Sequence, residues 1–177
     1  MKKLLSLTLA AVMALGLLAG CSGSKNESNN NAPSAKTPEE LVALYTDAIN
    51  NCGSEMVEYN PVVSEFKEED GTSFLLELLG LSSEDFTAAA VSLSQMNTQA
   101  YTIAAFMPAA DKAETILEAL QTYHANQQAA FERYLEDQYE IACAARLETL
   151  SDGTIVFVMT EGQDAAFDSI KETIENA

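Results

Sequence analysis

The sequence predicts an α+β domain: a four-stranded, mostly antiparallel sheet in ββαββα order with its helices on one face, preceded by N-terminal helices. Three observations predict it. Apolar residues alternate over two stretches, about 86–105 and 146–160, and Asp152-Gly153 punctuates the second as a tight hairpin turn. After each stretch, apolar residues recur at helical spacing. A helix-start pattern at Thr37-Pro38-Glu39-Glu40 opens the folded part.

Ahead of that start, Lys2 and Lys3 precede an uncharged apolar run, Leu4 to Leu18, which ends in Leu18-Ala19-Gly20-Cys21. A basic start, an apolar middle and small residues before a cysteine form a lipobox. Residues 1–20 therefore read as a lipoprotein signal peptide and Cys21 as the acylated first residue of the product. A transmembrane anchor needs about 20 apolar residues, more than this run supplies. Residues 21–37 carry no large apolar side chain and read as a lipid-anchored disordered tether, spanning about 20–25 Å as a flexible coil. The expected location is the outer face of the cytoplasmic membrane.

Residues 38–177 are long enough for a single domain with one core. The whole chain carries 9 Lys+Arg against 27 Asp+Glu, a formal charge of −18. Without Lys2 and Lys3, seven basic residues face the same 27 acidic ones, giving −20. Such a surface repels phosphate, so nucleic acid is not an expected partner. Membrane association is expected to come from the lipid on Cys21 and not from a basic patch.

Within the domain, Leu41, Leu44, Tyr45 and Ile49 share a helix face that stops near Cys52-Gly53. Residues 54–70 read as a solvated connection, and 72–79 as a short helix ended by Gly80. Ala89, Val91 and Leu93, then Tyr101, Ile103 and Ala105, alternate as two strands, and Pro108 closes the second. Asp111 and Glu114 suggest a capping box for the longest helix, which is expected to run to about Leu135 or Tyr139 with Ile116, Leu117, Leu120, Tyr123, Gln127, Phe131, Tyr134 and Leu135 on or beside its inner stripe. Ile155 to Met159 is apolar on both faces, as a covered central strand requires. Ala166, Phe167, Ile170 and Ile174 mark a C-terminal amphipathic helix.

Ser92-Leu93-Ser94-Gln95-Met96-Asn97 with Ala100, Asp111-Lys112-Ala113, Phe131-Glu132-Arg133-Tyr134-Leu135, Gln138-Tyr139, and Gly153 before Val156-Phe157-Val158 together form a pattern. In it the chain resembles an uncharacterised Gram-positive lipoprotein family, domain of unknown function 4358, over about residues 86–174. The resemblance implies the fold and the lipid-anchored address, and no activity or functional residues. That family usually has proline after Tyr-Leu; Glu136 stands here, so the long helix is expected to continue. Gln99 and Tyr101 replace acidic residues that often follow Met-Asn, which argues against a shared carboxylate site.

The only histidine, His124, lies beside the inner stripe of the long helix, and with Gln127 one turn on it could line a pocket between helix and sheet. Cys52 and Cys143 are two buried thiols or, in an oxidising compartment, a disulfide. A single histidine with distant cysteines supplies no zinc site, and Glu65 to Gly71 lacks the alternating ligands of a calcium loop. No metal and no cofactor is expected. There is no Gly-x-Ser-x-Gly elbow, no glycine-rich phosphate loop and no assignable catalytic residue. The reading that follows is a non-enzymatic binding or protein-interaction module of the cell envelope, with an unidentified envelope protein or small ligand as partner. The alternative is an accessory envelope hydrolase or transferase with a pocket around His124.

Overall fold

The computed structural model describes residues 36–177. The expected signal peptide, Cys21 and all but the end of the expected tether lie outside the described residues. Among those described, nine elements follow in order: α1 (Pro38–Asn50), α2 (Phe74–Leu79), β1 (Phe86–Leu93), β2 (Thr102–Pro108), α3 (Ala113–Phe131), α4 (Glu136–Cys143), β3 (Arg146–Thr149), β4 (Ile155–Met159) and α5 (Gln163–Glu175). A single 3-10 turn, Glu55–Glu58, follows α1.

α1 starts where the sequence predicts. The Thr37 hydroxyl accepts the Glu40 N–H at 3.3 Å and the Glu40 carboxylate accepts the Thr37 N–H at 2.7 Å. Two N–H groups that the helix leaves orphaned are thereby satisfied, a contribution on the order of 1 kcal/mol. The predicted α+β fold is present. The four strands form one open antiparallel sheet in the order β1-β2-β4-β3.

The placement of the helices differs from the expectation, because they cover both faces. α1 and α5 pack through Tyr45, Ile49, Phe167 and Ile170 on the side of Ala88, Ala90, Ile103 and Val158. α2, α3 and α4 pack through Leu79, Ile116, Leu120 and Ala142 on the side of Val91, Ala104, Phe106 and Phe157. The cause is legible in β2 and β4: every residue of Ile155–Met159 is buried, and Thr102 to Phe106 likewise. A strand apolar on both faces needs a layer on each. The long helix and the C-terminal helix therefore lie on opposite sides of the sheet.

Three further expectations are corrected. The connection 54–70 is not a solvated loop: Val57 is buried, Phe66 stacks edge-on against Phe86 at 5.8 Å, and Val63 bridges Val91 at the sheet edge. Asp111 does not cap α3. It sits in a turn at φ +63, Lys112 holds the cap position, and Lys112 is drawn to Asp85 at 2.9 Å. The long helix also does not continue past Glu136. It ends at Phe131, and Leu135 adopts φ −138 and ψ 73, outside helical geometry. The break lets α4 turn back and bury Ala142 against the sheet.

Candidate functional site

Two adjoining cavities lie where β2 begins and β4 ends, apart from open hollows between α2 and α3 and after α1. Tyr101 leads into β2, Thr160 leaves β4, and α4 crosses beside both. Between them lies a cavity of about 120 Å³, lined by Met56, Tyr101, Gln138, Ile141, Thr160 and Glu161. Gln138, Ile141 and Glu161 also line an outer groove of about 490 Å³, which runs between α4 and the turn into α5. One mixed cleft results, with Met56 and Ile141 as its apolar part and Asp137, Glu140 and Glu161 as carboxylates at the outer side. The lining carries no Lys or Arg, so the cleft suits a ligand with an apolar body and a polar or cationic end.

The inner wall is held by buried hydroxyls. Ser92 gives its proton to the Asn60 carbonyl, so the Tyr101 phenol must donate to the Ser92 oxygen, 2.7 Å away. The same logic recurs twice. Thr102 donates to the Tyr101 carbonyl and receives Tyr123; Thr154 donates to the Asp152 carboxylate and receives Tyr45. Each tyrosine ends on a hydroxyl whose own proton is committed elsewhere. Burial pushes the phenols of Tyr45 and Tyr101 up to about 12, against their partners' lowering effect, and it raises Tyr123 in the same direction. These groups stay neutral, and of the three it is Tyr101 that forms the cleft wall.

Gln138 closes the site from α4. Its side-chain oxygen accepts the Ala100 N–H at 2.8 Å, pinning the β1–β2 loop to the helix. Thr160 and Ser54 share a hydrogen bond at 3.0 Å, which ties the end of β4 to the segment after α1.

The residues singled out from sequence sit elsewhere. His124 Nε2 lies 2.6 Å from the Ala142 carbonyl, a contact that requires that nitrogen to carry the proton, and its ring is tilted against Phe157. The amide one turn on that lies against it is Gln128, whose Nε2 is 3.1 Å from the same nitrogen; with the proton on His124 both are donors and this is a contact only, while Gln127 is half-buried and makes no side-chain hydrogen bond among the described residues. His124 thus fastens α3 to the end of α4 and lines neither part of the cleft. Cys52 and Cys143 are both free thiols. Cys52 is buried with α1, where desolvation pushes its thiol up; Cys143 is exposed at the end of α4, on the other side of the sheet. Among the described residues no three His, Cys, Asp or Glu side chains converge in a metal-holding group. Nor does any described helix have the length and apolarity to cross a membrane.

The family described as Domain of unknown function (DUF4358) matches residues 63–160. The chain belongs to this family. The matched region starts at the Val63 bridge, ends as β4 leaves the sheet, and contains all four strands with α2, α3 and α4. It starts and stops earlier than the region of resemblance read from the motifs. No curated protein and no solved structure matches the chain. The cleft straddles the family boundary: Tyr101, Gln138, Ile141 and Thr160 lie inside it, Met56 and Glu161 outside. Sequence reasoning missed all six as site residues. Gln138 carried the best available signal, since Gln138-Tyr139 belongs to the motif set, but its partner Ala100 becomes visible only in three dimensions.

Proposed function

We propose that the protein is a lipid-anchored binding module of the cell envelope, held at the outer face of the cytoplasmic membrane through Cys21. The observation that carries this reading is Leu18-Ala19-Gly20-Cys21 at the end of a charge-free run behind Lys2 and Lys3. The cleft between α4 and the end of the sheet supports the binding half of the proposal, since it joins an apolar interior to a polar mouth on rigid elements. Its partner is an envelope protein segment or a small ligand with a cationic end.

Two measurements test the two halves separately. A Cys21→Ser chain is expected in the soluble extracytoplasmic fraction, with the natural chain in the membrane fraction; a variant that stays membrane-bound refutes the anchor. Ile141→Trp fills the cleft and is expected to abolish the thermal shift or crosslink that an envelope extract produces with the natural chain. Unchanged capture by a folded Ile141→Trp protein moves the binding surface elsewhere.

A further inference from the structure

The two edges of the sheet are treated differently. β1 is covered within the chain: Val63 and Val91 exchange both backbone hydrogen bonds at 2.8 Å. β3 has no such cover. Its register with β4 pairs Arg146 with Val158 and Glu148 with Val156, and Leu150 N–H bonds the Thr154 carbonyl at 2.7 Å. Bonded and non-bonded pairs alternate along an antiparallel ladder. The backbone groups of Arg146 and Glu148 therefore face β4, and those of Leu147 and Thr149 face outward. Among the described residues no donor or acceptor meets them.

We infer that β3 is a self-pairing edge, docking antiparallel on β3 of a second copy about a two-fold axis at Leu147. The register follows from charge. With Leu147 opposite Leu147 of the other copy, the outward N–H and C=O groups meet as a bonded pair, and Arg146 stands opposite Glu148 in both directions. The other symmetric choice nearby, centred on Glu148, sets two carboxylates face to face. Arg146 already bonds Glu148 of its own chain at 2.7 Å and Asp168 at 3.0 Å, with its guanidinium 3.8 Å over the Phe167 ring, so the pairing across the axis extends an existing charge network from one copy to the other.

The axis runs perpendicular to the sheet, so α1 of each copy lies on the same side of the joined eight-stranded sheet. Both chains then enter their domains from that side, as two copies anchored in one membrane must. This argument rests on the anchor reading of Cys21; the edge argument does not. A short edge gives a weak contact, and confinement in a membrane plane raises the effective concentration. The acidity of each chain opposes the pairing at low ionic strength, and at 0.15 M salt charges are screened beyond about 8 Å.

The test uses the full chain with Cys143→Ser, so that no exposed native thiol competes. Leu147→Cys places the two sulfurs at a bonded pair, where Cα atoms are about 5.5 Å apart and a disulfide can close. Mild oxidation of membranes is expected to give a disulfide dimer. Ser151→Cys, roughly 25 Å from its copy in this register, is expected to give none. Adding Glu148→Arg, which sets like charges across the junction, is expected to cut the dimer yield at least tenfold. Absence of a Leu147→Cys dimer in folded protein, or equal yields at both positions, overturns the proposal. Repeating the oxidation on concentrated Cys21→Ser protein separates the two ideas: a Leu147 dimer there sustains the edge even if the anchor fails.

Discussion

Tyr101 donates its phenolic proton to Ser92, 2.7 Å away, and Ser92 passes its own to the Asn60 carbonyl. The relay is directional, so its members are not equivalent. Tyr101→Phe removes one donor and leaves Ser92 still bonded, at a cost of about 1 kcal/mol. Ser92→Ala strands a buried phenol and a carbonyl together and is expected to cost roughly 2–3 kcal/mol. The double variant should recover part of the loss, and chemical denaturation of the four proteins reads the coupling. Equal single costs would mean the relay does not run in this direction.

The raised phenols of Tyr45 and Tyr101 also set an alkaline limit. A group whose folded pKa lies above its unfolded value contributes stability that is complete below the unfolded pKa and is lost as pH climbs through the folded one. For tyrosine that window opens near pH 10 and closes near the folded value of about 12. Stability should fall across it, and Tyr45→Phe with Tyr101→Phe should flatten the fall. An unchanged slope in the double variant would place the alkaline limit elsewhere.

Asp85 governs the acid side. The Lys112 ammonium, then the N–H and hydroxyl of Ser82, hold its carboxyl below the usual carboxylate range. A depressed carboxylate stabilises the fold above the unfolded pKa, and that contribution disappears as pH falls through the folded one. Lys112→Ala should therefore lower stability at pH 7 slightly, since the lysine is partly exposed, and narrow the gap between pH 7 and pH 3. Thermal melts at the two pH values measure it.

Glu136 opens α4 after a non-helical Leu135, and its N–H meets no backbone acceptor among the described residues. Proline at a first helical position costs no hydrogen bond and restricts the unfolded chain. Glu136→Pro should leave the melting temperature unchanged or raise it by a few degrees. A drop of several degrees would show that the 132–135 break is set by more than local backbone geometry.

The order of the strands, both hairpins and the start of α1 were legible because they rest on local rules: the Thr37–Glu40 box, the Asp152-Gly153 turn, and period-two alternation. Which face each helix covers was not local. The double-sided apolarity of β4 was visible in Ile155 to Met159 and already calls for a layer on each face, while the same property in β2 is partly hidden by small alanines and Thr102. The break at Leu135 escaped because no proline or glycine marks it; Phe131 and Ala142 have to reach the same core. The cleft escaped for a related reason. Gln138, Tyr101 and Thr160 are ordinary residues until α4 folds back beside the sheet end, whereas His124 attracted notice by being rare and turned out to be a fastening.

The layer made by α1 and α5 joins the two ends of the described chain, Tyr45 and Ile49 meeting Phe167 and Ile170 across more than a hundred intervening residues. A chain synthesised amino end first can assemble its hairpins and α3 early. It cannot finish this layer until α5 is out. Until then α1 and one face of β2 and β4 have nothing to cover them, so the growing chain passes through a stage of exposed apolar surface whose duration is set by how fast its last helix is completed.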